Sequence, residues 1–327
     1  RLEDQLAAYV GCQHCVTVAN GTEALLIALM AIGVKPGDEV ITSPFSFVAN
    51  AETIAFLGAK PIFVDIDPQT YLLDPTTLEA AITPKTKAII AVNLYGQCAD
   101  FDVINQIARQ YYLPVIEDAA QSFGAGYKDR RSGALSTIGC TSFFPSKPLG
   151  AYGDGGACFT DDDQLAEMMR HLRIHGQSER YQHNILGLNS RLDTLQASLL
   201  LAKLPIFDQE IEKRNQIGQH YTQLLRDKVQ TPVIAAHNTS VYAQYTIEVD
   251  NRDNVSTQLH QRGIPTAVHY PLPVHLQPAL AHLRYEAGQF PVAERAAQRV
   301  LNLPLYPYMH LEAVEQVAEE LVKVLPS

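Results

Sequence analysis

Three short stretches of this 327-residue chain hold residues whose types and order could do chemistry together. Lys147 lies in the run TSFFPSKPLGAYGDGGACFT, after a strand-like stretch from Thr141 to Ser146 and before a turn holding Gly150, Gly153, Gly155 and Gly156. An amine at the end of a buried strand is costly unless it is neutralised or bonded. Lysine is also the residue that condenses with aldehydes. Asp118 ends the run LPVIEDAAQ, where a buried carboxylate needs a cationic partner, and a protonated ring nitrogen is one. Asn20-Gly21-Thr22-Glu23 lies between a strand-like run and a helical one. Free N–H groups at a helix start, with a small residue allowing close approach, make a phosphate cradle. Each feature alone has an ordinary explanation: a solvated lysine, an aspartate at a turn, a capped helix start.

An aldehyde, a ring nitrogen and a phosphate meet in one cofactor, pyridoxal phosphate. A carboxylate that keeps its ring nitrogen protonated makes it an electron sink. Gln121, just past Asp118, could bond its phenolic oxygen, and Phe47 in SPFSFVAN could stack on the ring. Ser142, five residues before Lys147, could add a hydroxyl to the phosphate. A core phenylalanine and a strand serine are the commoner explanations of these two. Asp154 reads as a turn former. There is no GxGxxG and no Walker A loop, which argues against dinucleotide and ATP sites.

Composition sets outer limits. Hydrophobic residues make up 46% and charged residues 18% of the chain, ordinary for a globular protein. A net charge of −10 suggests neither a nucleic-acid nor an anionic-membrane surface. No apolar run approaches a membrane span, and no signal peptide is visible. Five scattered cysteines suit reduced thiols in the cytoplasm. Cys12 and Cys15 form a CxxC, but no second pair is spaced to complete a metal site, so packing is the expected role and no metal is expected. The chain starts at Arg1 inside a helical run, LEDQLAAYV, as though an N-terminal segment were missing.

The elements that must position these residues follow from periodicity. CVTVAN, DEVITSP, KPIFVDID, TKAIIAVNLYG and LPVIEDAAQ read as buried strands, alternating with helical runs GTEALLIALMAIG, FVANAETIAFLG, TTLEAAI and FDVINQIARQYY. That alternation predicts an α/β architecture, a mainly parallel sheet covered on both faces. CTSFFPS and GGACFT complete the sheet. A long helix runs from Asp193 to Arg226, kinked at Pro205. Beyond it, strands YAQYTIEVD, TAVHY and LNLPL mix with helices near VSTQLHQRG, FPVAERAAQRV and LEAVEQVAEELVKVL. The division is a large domain over 1–210 and a smaller α+β domain over 211–327. Ligands of open α/β sheets bind at the carboxyl ends of strands, where Asp118 and Lys147 fall.

The motifs GTEALLIAL, SPFSFVANAETI, VDID, IEDAAQSFGA, TSFFPSKPLG, GDGG and LGLNSRLDTLQASLLLAKL together resemble those of the DegT/StrS nucleotide-sugar aminotransferases. The resemblance runs essentially the whole length of the chain. It implies the aspartate-aminotransferase-like fold, fold type I of the pyridoxal-phosphate enzymes. It also implies Lys147 as the lysine bonded to the cofactor, Asp118 as its ring-nitrogen partner, Gln121 on its 3′ oxygen and Phe47 stacked on its ring. Backbone amides of Thr22 and Glu23 and the hydroxyl of Ser142 would bind the phosphate. Asn189 matches a residue that reaches the cofactor of a neighbouring subunit, which implies a homodimer with composite sites. Family members usually carry a further stretch before the position matching Arg1.

Within the family, YGQCADFDVINQIA, STIGCTSFFPSKPLG and GIPTAVHYPLPVHLQPA resemble enzymes that aminate a UDP-linked 3-oxo-glucuronic acid derivative for bacterial surface polysaccharide. Arg191 would meet the sugar carboxylate as a planar bidentate donor, with His269 and Tyr270 lining the sugar pocket. A helix-start residue paired with an acid and a bonded core histidine are the plainer explanations of Arg191 and His269. The reaction implied is a ping-pong transfer from L-glutamate through pyridoxamine phosphate, with Lys147 moving the proton. Amination at C4 of a UDP- or dTDP-4-keto-hexose is the alternative. A dehydratase on the same fold would resemble the family with histidine in place of Lys147. A non-catalytic sensor binding cofactor or nucleotide sugar is the alternative of another class.

Overall fold

The computed structural model describes residues 1–325. Its centre is a seven-stranded sheet whose strands are β1 (His14–Val18), β2 (Glu39–Thr42), β3 (Lys60–Phe63), β4 (Thr86–Val92), β5 (Val115–Asp118), β6 (Ile138–Ser142) and β7 (Gly156–Thr160), in the order β1-β7-β6-β5-β4-β2-β3. The links β3-β2-β4-β5-β6 are parallel, while β7 is antiparallel to both its neighbours, β6 and the edge strand β1. Val115 to Asp118 and Ile138 to Ser142 are buried throughout, as strands covered on both faces must be.

The helices on the sheet are α1 (Leu2–Val10), α2 (Gly21–Ala31), α3 (Ala49–Phe56), α4 (Phe101–Gln110) and α5 (Asp163–Leu172). Helix α2 is apolar almost all round, with Ala24, Leu25, Ile27, Ala28 and Leu29 buried, so it lies inside the molecule, packed on α3, α5 and the sheet. Helix α4 is amphipathic instead: Phe101, Ile104 and Ala108 face inward, and Asp100 caps its start at Val103 N. The expected long helix forms as α6 (Thr194–Lys203) and α7 (Phe207–Leu225), separated by a 3-10 turn at Leu204–Ile206 that holds Pro205. Proline removes an N–H and crowds the preceding turn, which breaks the ladder there.

Past α7 the chain forms an antiparallel pair, β8 (Tyr245–Glu248) with β9 (Val300–Leu303), and helices α8 (Arg252–Gln261), α9 (Pro291–Arg299) and α10 (Leu311–Val324). Ile217, Tyr221, Leu225, Tyr245, Ile247, Val255, Leu301 and Leu321 belong to a separate apolar cluster there. Two expectations need correction. TAVHY is not a strand but makes a single bridge, Ala267 to Asn302, because Pro265 and Pro271 flank it and cannot extend a ladder. The strand preceding Lys147 ends at Ser142, not Ser146: Pro145 and Ser146 turn the chain, and Lys147 N–H donates to Phe144 O at 2.8 Å. The last two residues of the expected 211–327 domain, Pro326 and Ser327, lie outside the described residues.

Candidate active site

The carboxyl ends of β4, β5 and β6, with the start of α2, open on a cleft of ≈ 680 Å³ lined among others by Thr22, Phe47, Asp118, Gln121, Ser142, Lys147, His269 and Tyr270. Nine of the residues singled out from the sequence thus converge there, for Glu23 lines it too. Its size falls in the range of ligand pockets, about 300–1,000 Å³.

Asp118 is buried at the end of β5. Its Oδ1 accepts from Ala120 N at 3.0 Å and its Oδ2 from Asn50 Nδ2 at 2.9 Å. Burial pushes its carboxyl up, opposed by those two hydrogen bonds and by the charge of Lys147. Lys147, half-buried in its turn, is shifted the other way: burial lowers its amine below the ordinary lysine value, offset in part by Asp118. Each group is driven towards its neutral form by the loss of water and held towards its charged form by the other.

Gln121 is fixed at both ends of its amide. Its Oε1 accepts from Tyr95 N at 2.8 Å, and its Nε2 donates to Tyr270 Oη at 3.2 Å. Tyr95 has a φ of 62°, a left-handed backbone unusual outside glycine, and from this conformation its N–H meets Gln121. Burial and the nearby Asp118 charge push the Tyr270 phenol well above its ordinary value. His269 donates from Nδ1 to Asn302 Oδ1 at 2.8 Å, since a carbonyl oxygen can only accept. Burial lowers its pKa, so the ring is held neutral with Nε2 as a bare acceptor. It is therefore both a bonded histidine and a cleft residue. Phe47 is 52% exposed, its ring 6.0 Å from that of Tyr270, leaving a face for a planar ligand.

At the start of α2, Gly21 and Thr22 occupy the first two helical positions, whose N–H groups have no intrahelical acceptor. A Cβ on Gly21 would come within 2.6 Å of Ser142 Cβ, so the helix start and the Ser142 hydroxyl form one close-packed, donor-rich corner. The expected amide of Glu23 departs from the pattern. Its N–H already donates to Asn20 Oδ1 at 2.8 Å, and Asn20 Nδ2 donates back to Glu23 Oε1 at 3.1 Å. This reciprocal cap uses the Glu23 donor and leaves Gly21 and Thr22 as the open ones.

Asn189 and Arg191 do not line this cleft; both are exposed beside Ser190, before α6. Asp154, read as a turn former, lines the cleft from the glycine turn. Two further residues belong to the site, Asn50 bonded to Asp118 and Gln244 on the cleft wall. Asn50 is a fully buried polar residue near the start of a helix whose other buried residues are Ala49, Ala51, Thr53 and Ile54, and an amide in such a run is a visible signal. Gln244 lines the cleft with an Oε1 that is buried and unpaired, and nothing in YAQYTI marks it. The CxxC is not a redox pair in waiting: all five cysteines are free, and burial pushes Cys12 up to about 11 and Cys15 well up. Among the described residues no group of three or more His, Cys, Asp or Glu could hold a metal.

An amine made less basic by burial, an acid bonded by two fixed donors and a phosphate corner stand together at the carboxyl edge of a mainly parallel sheet. That donor set fits pyridoxal phosphate, and it defines the class: a transferase that works through this cofactor. The chain belongs to the DegT/DnrJ/EryC1/StrS aminotransferase family, whose model matches residues 1–322. It is 58% identical over 321 residues to the UDP-2-acetamido-2-deoxy-3-oxo-D-glucuronate aminotransferase of Pseudomonas aeruginosa, covering 98% of this chain and 89% of that one. It is 49% identical to a pleiotropic regulatory protein of Geobacillus stearothermophilus, over 99% of this chain and 88% of that one. Among solved structures, NtdA of Bacillus subtilis with bound cofactor PMP superposes with a TM-score of 0.92 at 35% identity, covering 99% of this chain and 76% of that one. The α/β fold expected from the alternating strands and helices is therefore the pyridoxal-phosphate fold type I.

Proposed function

We propose that this chain is a pyridoxal-phosphate-dependent aminotransferase that moves the amino group of L-glutamate to C3 of UDP-2-acetamido-2-deoxy-3-oxo-D-glucuronic acid, in bacterial surface polysaccharide (O-antigen) synthesis. The observation that carries the chemistry is the pairing of Lys147 and Asp118 across one cleft, with opposite shifts. The choice of sugar rests on likeness to the Pseudomonas aeruginosa enzyme.

When bound, pyridoxal phosphate supplies the aldehyde that takes up and returns the amino group, and an electron sink for the broken C–H bond. Lys147 Nζ anchors the aldehyde. The Lys147 amine would be the base that takes the proton from the donor carbon and the acid that returns it; its lowered pKa favours the neutral form this needs. Asp118 holds the ring nitrogen protonated. Gln121 Nε2 bonds the phenolic oxygen, and Phe47 covers the ring. Thr22 N–H and Ser142 Oγ hold the phosphate, with Glu23 acting through the cap it makes with Asn20. His269 and Tyr270 line the sugar side.

Asn189 and Arg191 serve a partner subunit's cleft in this reading, so the working form is a homodimer. Their exposure away from the cleft of their own chain supports it, as does the exposed apolar surface beside them, Leu186 at 91% and Leu195 at 79%. Arg191 then meets the sugar carboxylate. The division into units at 210/211 belongs to the same proposal and is supported by the separate apolar cluster beyond Ile217. A cytoplasmic location is supported by the five free cysteines; among the described residues no helix is long and apolar enough to cross a membrane.

The protein loaded with pyridoxal phosphate should show a visible absorbance band that bleaches on adding L-glutamate. If no amino acid bleached it, the transferase proposal would fail and a binding role, as the name of the Geobacillus relative suggests, would replace it. Running the reaction backwards with 2-oxoglutarate on a UDP-3-amino uronate and on a UDP-4-amino hexose decides the carbon: turnover of the first alone is expected.

A further inference from the structure

Asn50, near the start of α3, is wholly buried, 0% exposed. Its Nδ2 donates to Asp118 Oδ2 at 2.9 Å, while its own Oδ1 is buried with no partner. An unpaired buried carbonyl is destabilising, so the orientation of this amide needs a reason. Turning it over would set Oδ1 against a carboxylate oxygen at the same short distance and expel the negative charge. Only the observed orientation supports an ionised Asp118, and its other oxygen is held by Ala120 N–H at 3.0 Å. Each oxygen of the acid is therefore clamped by one donor from a different element, α3 on one side and the turn after β5 on the other.

We propose that Asn50 is a positioning residue that keeps Asp118 ionised and fixed in rotation for the ring nitrogen of the cofactor. This rests on the reading of Asp118 as the partner of that nitrogen. The proposal makes a specific demand: the contribution of Asn50 exists only where a ring nitrogen exists. A hydrogen bond to a charged group is the strong kind, and its loss should be felt by a ligand that needs the charge and not by one that does not.

The test measures dissociation constants of the cofactor-free protein for pyridoxal phosphate and for its 1-deaza analogue, in which the ring nitrogen is replaced by C–H. Asn50→Leu, close in size and without a donor, should weaken binding of pyridoxal phosphate about tenfold and leave the deaza analogue as tight as before or tighter. Equal weakening of both ligands, or of neither, would overturn the proposal, since a merely structural role cannot distinguish them. Should Asn50→Leu not fold, Asn50→Ser, too short to reach Asp118, carries the same expectation. Asp118→Asn separates the two levels. If it keeps the wild-type preference for the ring nitrogen, the reading of Asp118 itself fails. If it abolishes that preference while Asn50→Leu leaves it intact, only the role of Asn50 fails.

Discussion

Gly21→Ala tests whether the start of α2 and Ser142 form one tight cradle. The added methyl would lie 2.6 Å from Ser142 Cβ and 3.2 Å from both its Cα and its Oγ. Carbon atoms prefer about 3.5–4.0 Å, so the overlap with Cβ is roughly 1 Å. Neither neighbour gives easily: Ser142 closes a fully buried strand, and Gly21 opens a helix packed on that strand. Overpacking of this kind costs about 1–3 kcal/mol. Alanine returns at most about 1 kcal/mol through its better helix propensity, less at a first helical position. The clash wins, by about 1–2 kcal/mol. Thermal denaturation of the cofactor-free protein should show Tm lower by roughly 2–4 °C. Titration with pyridoxal phosphate should show affinity lower by about tenfold or more, because the displaced hydroxyl and amides are bonds to a charged group. The double mutant sharpens this: on a Ser142→Gly background, where the struck Cβ is gone, alanine at 21 should leave Tm almost unchanged, while cofactor affinity stays low. The reasoning fails if Gly21→Ala alters neither Tm nor affinity, or if Ser142→Gly does not relieve the stability loss.

Lys147→Met should abolish the visible band and turnover while raising the Tm of the cofactor-free protein. The Lys147 pKa is lowered on folding, so the unfolded chain binds the extra proton between the two values. Stability of the wild type should therefore rise with pH through that window, and the methionine variant should lack the slope; a lower Tm for the variant at neutral pH would contradict the argument. Glu117→Gln should lose about 1–3 kcal/mol of stability, seen as a lower denaturation midpoint. Its carboxylate accepts from Asn93 Nδ2, Ser132 Oγ, Gly133 N and Leu135 N, and an amide would turn an N–H towards those donors. Arg191→Ala should lower kcat/KM for the uronate tenfold or more, on the basis of about 1.5–3 kcal/mol for a charged pair; unchanged turnover would remove it from the carboxylate role.

Much of this was legible in the sequence because the informative patterns are local. Buried parallel strands appear as unbroken apolar runs, and β2, β4 and β5 lie where EVIT, KAIIAV and VIED place them. Polar residues at the ends of those runs must face the carboxyl edge, which is why Asp118, Gln121 and Ser142 could be singled out before their partners were known. What was hidden depends on contacts between elements distant in sequence. The commitment of the Glu23 amide to Asn20 is a local exception: the same four residues suit a capped helix start and an open phosphate cradle, and their order alone does not choose between them. Nothing near Tyr95 announces a left-handed backbone whose N–H meets Gln121. Asn50 to Asp118 spans two elements, and only the oddity of a polar residue on a buried face hinted at it.

The electrostatics of the cleft explain why that last contact matters. In the cofactor-free chain, the charge of Lys147 helps to keep Asp118 ionised despite its burial. In the proposed function Lys147 would be bonded to the cofactor's aldehyde and released again, so its charge beside Asp118 would not be constant. An acid supported by the lysine alone would lose that support with every such exchange. The donors from Asn50 and Ala120 belong to the fold and not to the cofactor. They favour the carboxylate whatever the state of Lys147, so that in the proposed function the ring nitrogen would face the same partner in both halves of the reaction. The proposed function gives proton transfer to Lys147 and charge retention to Asp118, two tasks that the same burial would otherwise set against each other.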